Sequence, residues 1–483
     1  MTPKKYHLFT LIALGYLALP NVLFLLTWVN LLIGIPVAAV FLWSIFPASE
    51  MGDVPSERQM DRRTILIAAV FAIGWTILSG VGGLVPQSSD YLKHSVLFHD
   101  LVHLSWPVIY HPDTPQSSFL CYGVAYYLVP SGIARFLGDG SINALSFLWA
   151  CSGIGLCFYW LACFNPKSPA RTLLIFICFS TFGIAWYVFK RGHLEYFKQL
   201  GIEHSYLDHW AKLYFTPQHG ISGWLGAAII YDLGWMRKKL SSAFLAWASL
   251  LLWSPFVCVG LAPVLLVTAL RIPFRRWFSI VPLAGGLLLM SVMGLFFSAH
   301  QPLEHKGFIW SLSDGGHWLT SYLLFVLLEV LLPAGCVLYF DYKHRILEGW
   351  RPLFLCAFVV LLLFPLYKMG RESDLRLQGS GSALVFMALG SAAGLTSPKF
   401  SFRSVEGLML FTLFAVSAVY PLGRPLLNLK GPADDYRFET IQRTMDVHDM
   451  SEIGKTEPNV TFDFAQQYLG RKDSAAFRWL LRK

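Results

Sequence analysis

Asp90, Lys93, His94, His99, Asp100 and His103 fall within about four helical turns of one another. The stretch that holds them, GLVPQSSDYLKHSVLFHDLVHLSWPVIY at 83–110, follows directly on a hydrophobic run. If 88–104 is helical, Asp90, Lys93 and His94 share a face through three- and four-residue spacing, and Asp100 and His103 form a second such pair. A carboxylate in a partly dry setting can take a proton from an attacking hydroxyl. Asp90 is the preferred base and Asp100 the second catalytic candidate, with His94 and Trp106 placed to meet a substrate. The alternative is structural: Asp90 caps the helix and Asp100 pairs with His103 or His99.

Two further polar segments could complete a site. In KLYFTPQH at 212–219, Lys212, Gln218 and His219 stand where an apolar run begins, and Thr216 followed by Pro217 is a helix start that offers backbone donors to a phosphate. In KMGRESDLR at 368–376, Lys368, Arg371 and Arg376 concentrate positive charge between two apolar runs, as a site for a lipid phosphate would. A local salt-bridge network with Glu372 and Asp374 is the competing reading, and those two acids could also help hold a divalent cation. His204, His209, His300 and His305 match no strong zinc spacing and read as surface or interfacial hydrogen-bonding groups. There is no GxGxxG after a strand, no P-loop and no GxSxG, so nucleotide-dependent chemistry on the cytosolic side has no support.

The elements that must position these groups are membrane helices. Over 483 residues the chain is 55% apolar and only 14% charged, with a mean hydropathy of +0.52, and it repeatedly offers segments near the roughly 20 residues that cross a bilayer. The expected fold is an all-α polytopic membrane protein with about thirteen spans, near 6–26, 28–47, 63–85, 142–163, 170–188, 217–233, 242–255, 256–270, 277–298, 318–341, 352–368, 380–396 and 405–422. The first span reads as an uncleaved anchor. The eight cysteines lie in or beside apolar runs without a CxxC pair, which predicts no disulfide framework. The net charge of +9 is scattered over short loops, which points to positive-inside sorting and anionic lipid rather than to nucleic acid.

Basic loops at 58–63, 167–171, 237–239, 271–276, 343–351 and 399–403 all fall on one side if the amino terminus is cytoplasmic. That arrangement requires 119–137 (FLCYGVAYYLVPSGIARFL) to stay outside as interfacial or re-entrant helices, with Tyr122, Tyr126 and Tyr127 at headgroup depth and Pro130 breaking the segment. It also requires two short helices turning near Ser254 and Pro255. The chain then divides into an N-terminal hairpin and loop at 1–62, a membrane catalytic domain at 63–422 with the exterior loop 86–141, and an exterior tail at 423–483. The tail's ending, YLGRKDSAAFRWLLRK, reads as a basic amphipathic helix on the membrane surface. No internal repeat stands out, which disfavours a transporter of duplicated halves.

This order of features resembles the GT-C superfamily of membrane glycosyltransferases, which includes protein O-mannosyltransferases and lipid A aminoarabinose transferases. The resemblance rests on Asp90, Lys93, Asp100, Trp106 and Pro107 in the first exterior loop and on the tyrosine-rich segment Cys121–Phe147. It spans 63–190, with looser agreement beyond. Many members carry adjacent acids at the first position, whereas Tyr91 follows Asp90 here. The resemblance implies a GT-C-like bundle and transfer of a sugar from a polyprenyl-phosphate donor to a lipid, glycan or protein acceptor at the outer, periplasmic face of a bacterial cytoplasmic (inner) membrane, with the carboxy terminus on that face. Asp90 would act as general base. Lys93, Lys368, Arg371 and Arg376 would meet the donor phosphate, while His94, Trp106, Tyr126, Gln218 and His219 would line the substrate site. The resemblance fixes no cofactor, and a divalent cation could take part. A lipid or polysaccharide flippase, a membrane acyltransferase using His94 or His219, and a noncatalytic scaffold are the competing functions.

Overall fold

A computed structural model describes residues 8–50, 62–88, 90–112, 114, 117–181, 206–302, 306–312, 318–370, 373–430, 449–451 and 463–482. Each expected apolar segment falls on helix: Leu8–Thr27, Leu31–Ser49, Arg62–Leu78, Ile142–Phe164, Pro169–Cys178, Pro217–Ile230, Leu240–Ser249, Pro255–Arg271, Ile280–Phe297, Trp318–His344, Arg351–Leu363, Gly381–Leu395 and Val405–Lys430. Among the described residues six helices are long and apolar enough to cross a membrane: Leu8–Thr27, Leu31–Ser49, Asp139–Phe164, Ile280–Phe297, Trp318–His344 and Val405–Gly423. Pro169–Cys178, Leu240–Ser249, Pro255–Arg271 and Arg351–Leu366 are shorter, so length and composition carry a multi-pass membrane protein but not thirteen full crossings.

The outer surface explains why these segments are helical and why water is not their solvent. Leu32, Trp43, Leu66, Leu270 and Ile280 are all more than 60% exposed, a belt of large apolar side chains that a water-soluble monomer does not carry. In hydrocarbon every backbone amide must bond within its own segment, which the helix achieves. The core sits around Gly381–Leu395 (GSALVFMALGSAAGL), almost wholly buried. Its glycines, alanines and serines let the neighbouring helices 169–178, 217–230 and 351–363 approach closely.

The turn expected near Ser254 is present. Leu240–Ser249 and Pro255–Arg271 are separate helices, and Ser254 caps the second by accepting from the Val257 amide at 3.2 Å, with Pro255 in the first turn. All eight cysteines are free, and each is buried or half-buried.

Helix ends sort into two faces. On one, the basic loops meet: Lys239 Nζ donates to the Glu50 carbonyl, Trp235 Nε1 to the Gly349 carbonyl at 2.8 Å, and Asn165 to Thr396 at 2.7 Å. On the other, the 28–30 turn, the segment 109–124, the 299–301 turn and the carboxy-terminal residues interlock. There β1 (Ile109–Tyr110), β2 (Ser118–Leu120) and β5 (Leu469–Arg471) form an antiparallel sheet in the order β1-β2-β5, with Phe119 opposite Gly470. A two-stranded ribbon, β3 (Lys306–Phe308) and β4 (Tyr367–Met369), pairs Gly307 with Lys368.

Three expectations need correction here. Residues 119–137 supply no helix long enough to cross a membrane, and Ala125–Leu137 packs against helices 8–27, 91–103 and 142–164, so Tyr126 and Tyr127 are 2% and 0% exposed, walled in by protein rather than open to headgroups. Pro130 lies inside that helix and does not break it. The chain's ending is not an amphipathic surface helix: Leu469–Arg471 completes a sheet, Ala476–Leu480 is a single π-helical turn, and the Asn30 amide donates to the Leu480 carbonyl at 2.8 Å. An all-α description therefore holds for the bundle and not for the loop face.

Candidate functional site

Tyr91–His103 forms the helix expected over 88–104, with Asp90 at its amino-terminal boundary. Asp90 does not cap the helix through its side chain; its carboxylate instead holds Lys93 Nζ at 2.9 Å, with both side chains about 30% exposed. Three hydrogen bonds fix this helix start. Ser88 donates to the Tyr214 carbonyl at 3.0 Å. His94 bridges the Tyr127 hydroxyl at 2.7 Å and the Phe215 carbonyl at 2.9 Å. With Nε2–H on Phe215, the other ring nitrogen accepts from Tyr127, so the ring is neutral and fully engaged. Burial holds the His94 pKa down at about 4, against smaller upward pulls from the Phe215 carbonyl and Asp90.

Groups from distant parts of the chain lie within reach of the Asp90 charge. Tyr122 and Tyr468 lie in ring contact, centroids 4.7 Å apart. Gln218 Nε2 donates to the Tyr122 hydroxyl at 3.2 Å. Burial above all, together with the negative charges of Asp90 and Asp374, pushes the hydroxyl pKa values of Tyr122 and Tyr468 above the ordinary phenol range, so both stay protonated donors. Asp374 folds back over Gly370, whose φ of +77° lies in the left-handed region that favours glycine. The charges of Asp90 and Asp374 thus both act on the Tyr122–Tyr468 pair, while Lys93 is tied to Asp90 and Gln218 to Tyr122.

The turn that carries Asp374 is tied in from below. Lys212, fully buried on the His209–Phe215 helix, donates through Nζ to the Leu377 carbonyl, and Thr216 donates to Gln378 Oε1 at 3.2 Å. Burial lowers the Lys212 pKa to about 7, offset in part by Asp208. Pro217 opens its helix as expected, but the His219 and Gly220 amides turn back on the Thr216 carbonyl at 3.0 and 3.1 Å and are not free for a phosphate.

The other sequence candidates disperse. Asp100 is wholly buried: it accepts from the Tyr110 hydroxyl at 2.8 Å and the Met450 amide at 2.9 Å, with His99 Nδ1 at 3.4 Å. Burial raises its pKa against the pull of those donors. The expected Asp100–His103 pair is not made, because His103 turns to Asp139 at 3.0 Å. Trp106 donates to the Leu101 carbonyl at 2.9 Å beneath the Arg135 guanidinium, which closes the far end of the same helix. His219 Nδ1 meets Ser254 Oγ at 2.7 Å in the interior, and Tyr126 packs against Phe98 and Tyr127. Arg376 turns toward Phe325, 5.6 Å from its ring centre, and Lys368 stays on the ribbon. His209 is buried against Phe176, and His300 bonds the Gln467 carbonyl at 2.7 Å. Arg371, Glu372, His204 and His305 lie outside the described residues. Among the described residues no three His, Cys, Asp or Glu side chains converge as metal ligands.

Sequence reasoning missed Tyr468. It lies in the tail, and it reaches Tyr122 because the Cys121 amide donates to the Tyr468 carbonyl at 2.8 Å beside the β2–β5 pairing. A short YLG stretch carries no mark of a partner some 350 residues away.

No family model matches the chain, and no curated protein and no solved structure matches it.

Proposed function

We propose that the protein is a membrane glycosyltransferase of the GT-C type, moving a sugar from a polyprenyl-phosphate carrier to a hydroxyl-bearing lipid, glycan or protein acceptor. The observation that carries this reading is the partly exposed Asp90–Lys93 ion pair at the loop face, whose acid also acts electrostatically on the Tyr122–Tyr468 ring pair from separate segments. Asp90 takes the proton of the acceptor hydroxyl as its oxygen bonds to the anomeric carbon. The carbon–oxygen bond to phosphate breaks, and the polyprenyl phosphate leaves with the electron pair. Lys93 offsets that growing charge. A single displacement inverts the anomeric centre. In this reading about thirteen spans hold the bundle in a bacterial inner membrane, with the amino terminus on the basic, cytoplasmic face and Asp90 outside.

The acyltransferase alternative gains nothing from the geometry, since His94 and His219 are both buried and hydrogen-bonded. The test is a purified-protein assay against a panel of labelled polyprenyl-phosphate sugars. Transfer that disappears in Asp90→Asn, with carrier binding kept, supports the reading; a panel inert with wild-type protein, or transfer that persists in Asp90→Asn, rejects it.

A further inference from the structure

The opposite, basic face carries a second construction that the proposed chemistry does not use. The loop Ile272–Ser279 joins two apolar helices, Pro255–Arg271 and Ile280–Phe297, and therefore sits where the apolar belt ends. It is not loose. Leu240, Ala269 and Ile272 form a small apolar cluster of their own with Leu265 and Trp277. Trp277 Nε1 donates to the Ile272 carbonyl at 2.7 Å, the Ser279 amide donates to Ser241 Oγ at 2.9 Å, and Ser241 in turn donates to the Trp277 carbonyl. The Arg271 guanidinium lies 4.1 Å from the centre of the Trp235 ring, which joins the loop to the turn at 235–239.

What this braced loop presents is aromatic and cationic together. Phe274 and Phe278 are 65% and 57% exposed, and Phe274 contacts both Trp277 and Phe278, at 5.1 and 5.2 Å between ring centres. Leu270 and Ile280 flank them at 74% and 81%. Arg271, Arg275 and Lys238 are exposed beside them, whereas Arg237 pairs with Asp232 at 2.8 Å. Ordering such large apolar side chains outward is unfavourable in water and favourable at the boundary of headgroups and acyl chains. Cations placed at that same depth meet phosphodiesters.

We propose that the surface formed by Lys238, Arg271, Phe274, Arg275 and Phe278 is a binding site for an anionic glycerophospholipid. The phenyl rings seat among its acyl chains, and the cations bind its phosphodiester headgroup. Charge complementarity selects this occupant: a zwitterionic lipid returns a positive charge to the same patch. The site is independent of the glycosyltransferase reading and stands if that reading fails.

The test reconstitutes the full-length protein in nanodiscs holding equal phosphatidylglycerol and phosphatidylcholine, and reads by native mass spectrometry which lipids it retains. Wild-type protein should favour phosphatidylglycerol about tenfold, and Lys238→Gln/Arg275→Gln should bring the ratio to within about twofold of unity. Lys399→Gln/Arg403→Gln, on another basic loop, should leave the ratio unchanged. Should the double variant fail to fold, Arg275→Gln alone reads the same ratio. No preference in wild-type protein, a preference untouched by the variants at 238 and 275, or its abolition by millimolar inorganic phosphate would each overturn the proposal.

Discussion

Asp90 and Asp100 stand at opposite ends of one helix, about 15 Å apart along its axis, and have opposite surroundings. Asp90 is 30% exposed and holds a flexible amine on its own helix. Asp100 is fully enclosed and takes donors from the sheet and from the carboxy-terminal tail. The same residue type, ten positions on, thus changes from a partly exposed ion-pair partner into a fastener for the exterior fold. Burial, and not residue type or spacing, separates the two roles.

The contrast breaks most visibly under substitution. Asp90→Asn should lower sugar transfer by about 10²–10⁴-fold and leave the melting temperature in place, as activity and thermal-shift assays on the same preparation would read. Asp100→Ala should do the reverse. It strands the Tyr110 hydroxyl and the Met450 amide, at a cost of about 2–4 kcal/mol for two orphaned buried donors, so the melting temperature should fall while the activity of the folded fraction survives. If both variants behave alike in the two assays, the division of roles is wrong.

A smaller effect should separate Tyr468 from its scaffold. Tyr468→Leu should reduce transfer about tenfold, within the range of a lost stacking and hydrogen-bonding group, whereas Tyr468→Phe should keep most of it. Gly470→Val should act more broadly. A side chain there would run into the Phe119 ring, 2.4 Å from where the Cβ would stand, so limited proteolysis should reveal the undocked tail. A separate effect, on stability alone, concerns His94. Its pKa in the folded protein is held at about 4, below the ordinary 6.5, so the neutral ring favours folding. That contribution is complete above about pH 6.5 and is lost as pH falls through 4. Thermal melts across pH 4–7 should show this slope, and His94→Gln should flatten it.

Much of this bundle was legible because each segment reports its own solvent: a long apolar run states that it is helical and in lipid. Turn chemistry read equally well, as at Ser254 and Pro255 and at Thr216 and Pro217. What did not read were contacts made across the chain. Tyr126 and Tyr127 resemble headgroup anchors in isolation, and only the packing of three helices around Ala125–Leu137 buries them. The Asp100–His103 pair obeys helical spacing but loses to Asp139, Tyr110 and Met450, which local periodicity cannot include. Of the candidate site, Asp90 and Lys93 came from spacing within one helix, while Tyr468 needed β5 to dock beside β2.

The most direct trial of the central claim is to photo-crosslink a polyprenyl-phosphate sugar carrying a diazirine next to the phosphate, and to map the labelled peptides. Labels concentrated on the segments holding Asp90, Tyr122, Asp374 and Tyr468, and removed by competition with unlabelled donor, are the predicted result. Labels confined to the opposite basic face, or spread without competition, would contradict it.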